Sequence, residues 1–345
     1  MSDSSRVIYL NTKQLINSMK KQTWSRVLKY KLKDLFKLNS VEEKKGFLEA
    51  SIQAQIAALK SSSQENGVVS QKSIDELDVI QNNSLVSPLP IHNADVRNAI
   101  KFVDSLSDEE LAELNQLLNW KCFVVDGNGR QFGGAASATK RQVPQIIPDR
   151  RIMMMNEVFD LSDKHVLEIG CFEGVHTIGL SMYAKAVTAF DSRIENVVKT
   201  IVRCSLFGYS PTVFQYDTEK PVSNPDWLTA DVMHHVGVLY HLKDPVQHLL
   251  SLGTYIGQGI MLDTHYALDQ EATEEYIVDG QTYAYKHYTE GGYRDPFSGM
   301  YDFARWLRLD DIAEVLTVAG FPKIDIVEKR NERNGPRVLL MAKRS

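Results

Sequence analysis

The sequence predicts an α/β fold: an open, mostly parallel sheet of seven strands with helices on both faces, preceded by a helical region. Three observations carry this. Short apolar runs of strand length alternate with helix-period segments from about residue 165 onward. The apolar run 166–169 stops at Gly170, a second glycine follows at Gly174, and apolar residues then recur at Val175, Ile178 and Met182. That order is strand, glycine turn, helix. The chain closes on two strand-like segments, 323–328 and 337–343, joined by a polar turn over 331–336, which predicts a terminal antiparallel hairpin.

The glycine turn is the most informative stretch. Glycine lets backbone approach a ligand closely. The next apolar run, 186–190, ends in Asp191, and an acid about twenty residues past the turn, at a strand tip, is placed to hold ribose hydroxyls. A nucleoside site is therefore expected. The dinucleotide pattern G-x-G-x-x-G would need glycine at 172 and 175, where the chain has Phe172 and Val175.

The other elements follow in order. The segment 20–37, from Lys20 to Lys37, carries seven basic residues and one acid, with Trp24, Val27, Leu28, Leu32, Leu35 and Phe36 on one helical face. Such a helix lies on an anionic membrane surface, grips an acidic protein, or packs on its own chain with its lysines in solvent. Residues 1–62 read as this helical region, and 63–114 as a polar linker followed by helices over 93–103 and 111–118, the latter capped by Ser107 and Glu110. The catalytic domain is expected over 115–345. It starts with a lead-in through Trp120 and Lys121, a turn at 126–129 and a helix from about 148. Further strands are expected over 211–216, 231–239 and 259–263, with helices over 196–207, 245–252 and 310–319. A long insertion, 264–308, holds seven of the fourteen tyrosines.

Bulk composition narrows the class. A chain of 345 residues with 43% hydrophobic content is an ordinary globular length and composition, and a net charge of −5 carries no general affinity for nucleic acid. Three separated cysteines form no CxxC pair, so neither a disulfide framework nor a zinc site is indicated. With no signal peptide pattern and no apolar run of about 18 residues, a cytoplasmic protein without a transmembrane segment is expected.

The pattern Glu168-x-Gly170-x-x-x-Gly174 resembles the first motif of class I S-adenosylmethionine (SAM)-dependent methyltransferases, whose sheet is Rossmann-like and ends in such a hairpin. Within that class, Gly237-Val238-Leu239-Tyr240-His241 followed by Pro245, with Val175-His176 after the glycine motif, resembles the wobble-uridine tRNA carboxymethyltransferase (CmoB-like) family. The resemblance covers roughly residues 115–325. It implies SAM as cofactor. Glu168, Gly170, Cys171 and Gly174 would lie near its methionine end, Asp191 and Ser192 at the ribose, Asp217 and Thr218 at the adenine edge, and Val236 at the fourth strand end. The family's lead-in carries Trp-Arg-Lys-Gly-Pro-Phe, where this chain has Asn119-Trp120-Lys121-Cys122-Phe123, so plain methyl transfer is expected over carboxymethyl transfer.

Methyl transfer asks mainly for in-line geometry, and a hydroxyl acceptor gains from a base. His241, just past the fourth strand, is the expected base or else a residue that orders its loop; His265, after the fifth strand, is the second candidate, with Tyr240 beside them. His234 and His235 face opposite ways if they lie in a strand, and no carboxylate stands at ligand spacing from them, so no metal is expected. Trp120, Lys121, Tyr283, Tyr285, Tyr293 and Arg294 are expected at the acceptor; the alternative for the tyrosines is subdomain packing. The leading function is methylation of a hydroxyl on a small molecule or saccharide. The alternatives are a tRNA-modifying enzyme and a non-catalytic adaptor that keeps the fold.

Overall fold

The computed structural model describes residues 96–134, 142–221 and 224–345. The basic segment 20–37 and the linker lie outside the described residues. No helix among the described residues is long and apolar enough to cross a membrane. The described residues divide into two compact units, one of those up to 149 with 173–175 and 198–210, the other of those in 150–172, 176–197 and 211–345.

In the first unit, β1 (Arg97–Asn98), β2 (Phe123–Asp126) and β3 (Gln131–Gly133) form a small sheet. Helix α1 (Asp108–Leu117) starts on the predicted box: Ser107 Oγ accepts from the Glu110 N–H, and Glu110 accepts from the Ser107 N–H. The turn expected at 126–129 closes the β2–β3 hairpin, with the Gly129 N–H donating to the Asp126 carbonyl. The helix expected over 93–103 does not form across its described residues. Arg97 and Asn98 pair with β2, and the Asn98 amide donates to the Val96 and Val125 carbonyls. A short polar side chain bonded to nearby backbone competes with helix.

The second unit is built on a seven-stranded sheet. Its strands are β4 (His165–Ile169), β5 (Ala186–Asp191), β6 (Thr212–Gln215), β7 (Ala230–Val236), β8 (Ile256–His265), β12 (Lys323–Glu332) and β13 (Gly335–Lys343), in the order β12-β13-β8-β7-β4-β5-β6. Strands β4 to β8 pair in parallel, and β13 is antiparallel to β8 and β12. Helices α2 (Arg150–Phe159), α3 (Val175–Tyr183), α4 (Ile194–Leu206), α5 (Pro245–Gly253) and α6 (Leu309–Val318) connect the strands.

Strand alternation makes the sheet double-faced. Leu167, Met233, Ile260, Leu262, Val338 and Leu340 pack in one buried cluster with Leu249 of α5 and Ile312 and Leu316 of α6. Val166, Val232, Met261, Leu339 and Met341 pack in another with Ile152 and Met155 of α2 and Leu180 of α3. Each such side chain contributes about 1.5–3 kcal/mol by leaving water.

Three boundaries differ from expectation. β7 stops at Val236 rather than 239, because Gly237 turns to φ +76° and Leu239–His241 winds into one 3₁₀ turn. β8 runs to His265, two residues longer at its carboxyl end. The terminal hairpin extends its ladder through Asn331 and Pro336, leaving Arg333 and Asn334 as the turn. The insertion folds into a second sheet of β9 (Glu274–Val278), β10 (Gln281–Thr289) and β11 (Phe303–Leu307), in the order β11-β10-β9.

Candidate active site

The glycine turn leaves β4 at its carboxyl end. Gly170 takes φ +73°, and a Cβ there would collide with the Val238 side chain, so both conformation and space call for glycine. The Gly170 and Cys171 N–H groups both donate to the Phe190 carbonyl, which draws the turn against β5. Asp191, at the tip of β5, binds the turn as well: its Oδ2 accepts from the Phe172 N–H at 3.0 Å, while Oδ1 accepts from the Arg193 N–H and the Asn196 amide. A carboxylate oxygen has about two acceptor positions, so Oδ2 keeps one among the described residues. Ser192 Oγ donates to the Tyr216 carbonyl at 3.4 Å.

Glu168 is fully buried in the face shared with α2 and α3. Thr177 Oγ1 donates to it at 2.6 Å, and burial pushes its carboxyl up to about 8. His234 Nδ1 lies 4.0 Å from it. The fold thus gathers what spacing along the chain did not: ligand atoms of Glu168, His176 and His234 lie within 4.8 Å of one another, which corrects the expectation that no carboxylate pairs with these histidines. Arg151 Nη2 stands 3.2 Å from His176 Nε2, which sets a cation beside this group. His235 points to the other face, as alternation predicts, and meets His248 at 2.7 Å.

Asp217 and Thr218, just past the end of β6, both have partners within the protein. Asp217 accepts from the Glu219 N–H and pairs with Lys220, closing its own turn, and Thr218 Oγ1 sits 2.7 Å from His248 Nδ1. Val236 ends β7 half-buried, in register with Asp263.

Past β7, Tyr240 and His241 lie on the 3₁₀ turn. His241 Nδ1 is 2.6 Å from Glu290 Oε1, its side chain is 19% exposed, and its Nε2 has no hydrogen bond among the described residues. Burial would raise the Glu290 carboxyl, but His241, Ser298 Oγ and the Gly299 N–H outweigh it and hold Glu290 below the ordinary range. His265 is different. It is buried, stacked on Trp306 at 4.9 Å, its Nδ1 3.1 Å from the Pro336 carbonyl and its Nε2 3.7 Å from Glu332. Burial and Arg337 push its imidazole down. Beside it, Asp263 takes three arginines, Arg151, Arg330 and Arg337, which hold its carboxyl low against the opposing effect of burial. The Arg337 guanidinium lies 5.3 Å from the Tyr240 ring, and the Tyr240 backbone carbonyl accepts from Trp306 Nε1.

Within the second unit the expected acceptor residues differ in exposure. Tyr283 and Tyr285 share the inward face of β10 and are buried in the second unit's core, so they offer no open stacking face; the packing alternative describes them. Tyr293 and Arg294 are exposed on the turn Gly292–Arg294. Within the first unit, Gly174 takes φ +83° against Thr200. Trp120 there is buried under the Arg203 guanidinium at 4.5 Å and edge-on to Phe132, not an open platform. The Lys121 N–H donates to Glu173, and its Nζ to Asn119.

Sequence reasoning missed Glu290, Arg193, Trp306 and Arg337. Glu290 carried one signal: it is the acid directly before Gly291-Gly292, inside the aromatic insertion.

No family model and no curated protein matches the sequence. Solved structures do. The N-terminal domain of EvdMO1 with SAH bound is 22% identical, with 69% of this chain and 95% of that chain covered and a TM-score of 0.57. The same domain in the presence of SAH and D-fucose gives 21%, the same coverage and 0.56. Magnesium protoporphyrin IX methyltransferase (ChlM) from Synechocystis PCC 6803 with bound SAM matches more loosely, at 18%, covering 56% of this chain and 76% of that one, TM-score 0.40. The chain has the class I methyltransferase fold.

Proposed function

We propose that this chain is a SAM-dependent methyltransferase that methylates a hydroxyl of a small-molecule or saccharide acceptor. The observation that carries it is the His241–Glu290 pair, 2.6 Å apart just past β7 and at the carboxyl end of the sheet, where ligands of open α/β sheets bind. The N-terminal domain of EvdMO1, of the same fold, was crystallised with SAH, the demethylated form of SAM, and D-fucose. The donor set fits SAM. Glu168 is a buried carboxyl at the end of β4 that an ammonium would ionise, Asp191 keeps an acceptor position for a ribose hydroxyl, and Gly170 keeps the turn free of side chain.

When bound, SAM supplies a methyl group already activated on a sulfonium. This chain's residues supply orientation and proton handling. His241 Nε2 takes the proton of the acceptor hydroxyl as its oxygen attacks, and Glu290 fixes the ring's direction and stabilises the imidazolium. Isotope-labelled SAM offered to a panel of sugars, small-molecule metabolites and tRNA, read by mass spectrometry, tests this. We expect methyl gain on a hydroxylated small molecule or sugar, and a ~10²–10⁴-fold lower rate for His241→Asn. Undiminished turnover in His241→Asn ends its role as base, and methyl gain confined to tRNA ends the acceptor assignment. The narrower CmoB-like resemblance is not supported by the structural neighbours.

A further inference from the structure

Arg193 lies two residues beyond Asp191, and Asp191 holds its backbone N–H. Its guanidinium sits inside a ring of backbone carbonyls from the insertion. Nη2 donates to Gly292, Asp295, Ser298 and Gly299 at 2.9–3.2 Å, and Nε to Tyr293 at 3.3 Å. One Nη carries two hydrogens, so four carbonyls share them. Carbonyl dipoles aimed at one point repel each other, and the cation at the centre reverses that cost. The conformation of 291–299 is therefore a property of Arg193 as much as of its own sequence.

That loop also builds the base. Ser298 Oγ donates to Glu290 Oε2, the Gly299 N–H donates to the same oxygen at 3.1 Å, and Ser298 Oγ accepts from the Gly291 N–H. A Cβ on Gly299 would strike the His241 carbonyl, so the loop is seated directly against the 3₁₀ turn. Phe297 meets Phe172 of the glycine turn at 5.7 Å between ring centres. One loop thus touches Phe172 of the glycine turn, Arg193 two residues beyond Asp191, and Glu290 beside His241.

We propose that Arg193 is a positioning residue that sets the direction of the His241 ring through the 291–299 loop and Glu290, linking the ribose corner of the cofactor site to the base. This rests on the methyltransferase reading above. Arg193 touches no reacting atom; it acts because Glu290 keeps its place only while the loop is gathered. A lysine can enter the ring but lacks the planar fork, so Arg193→Lys restores part of the effect.

The test reads the His241 tautomer by nitrogen-15 NMR on the full chain, about two pH units above the ordinary imidazole value of ~6.5, with SAH as probe. Bonding to Glu290 puts the proton on Nδ1. We expect Nδ1–H in the wild type, loss of most of that signal in Glu290→Gln and in Arg193→Ala, and an intermediate pattern in Arg193→Lys. Ser298→Ala cuts the same path nearer Glu290 and is expected to shift the tautomer too, which keeps the question answerable if Arg193→Ala does not fold. An unchanged Nδ1–H signal in folded Arg193→Ala, or in Ser298→Ala, overturns the proposal. Calorimetry with SAH separates the two readings: no binding by the wild type removes the methyltransferase assignment, whereas binding with an unmoved tautomer removes only the role of Arg193.

Discussion

The ends of β7 and β8 each carry a histidine named in advance as a candidate base, and the fold gives them opposite lives. His241 has one nitrogen bonded to a carboxylate and the other without a hydrogen bond among the described residues. His265 has both nitrogens facing acceptors, a ring stacked on Trp306 and almost no exposure. Its neighbour Asp263 sits among three guanidinium groups. A base needs an anchored side and an open side, and His265, enclosed by Trp306, Glu332 and the Pro336 carbonyl, has no open side.

Perturbing each end tests that contrast, most severely at β8. Asp263→Ala removes the anion at the centre of the arginine cluster, and we expect about 3–5 kcal/mol of lost stability in chemical denaturation; a loss under ~1 kcal/mol would make the cluster a functional anion seat instead. Because Asp263 is held low, its contribution is present above the ordinary carboxylate range and goes only as pH falls through its folded value. His265→Ala opens a hole against Trp306 and should cost about 2 kcal/mol.

Glu168→Gln probes the buried carboxyl of β4. With a folded value of about 8, above the ordinary one, Glu168 favours folding fully at acid pH and loses that contribution as pH rises toward 8. Thermal melts of the variant should therefore gain on wild type between about pH 5 and 8; parallel curves would mean that the carboxyl ionises freely. His241→Asn, at the open end, should move stability by less than ~1 kcal/mol. A cost as large as that of His265→Ala would make His241 scaffold too, and erase the contrast.

How much of this was legible varies with the range of the forces involved. The strands of the main sheet, the Gly170 turn, Asp191 at its strand tip, the capping box at Ser107 and the closing hairpin follow from local pattern, since periodicity and glycine placement act within a few residues. The turn expected to begin at 331 began later because ladder pairing of Asn331 with Pro336 adds stability that no local signal carries. Tyr283 and Tyr285 were expected at the acceptor because composition counts rings without saying which face they take; their common parity on β10 held the answer once the strand was known. The pairings of Asp217 with Lys220 and of Thr218 with His248 were not legible, the second because it joins residues 30 apart in the chain.

The sequence by itself determined the fold class, the Gly170 turn with Asp191 at the next strand tip and the position of His241 just past β7, because strand, turn and helix preferences are short-range. Only the tertiary structure gave His241 and His265 their different surroundings, joined Glu290 to the first across 49 residues, wrapped the 291–299 carbonyls around Arg193 and gathered Glu168, His176 and His234. Such pairings depend on which side chains meet when distant elements pack, and hydrogen bonds and charges act only at that contact distance.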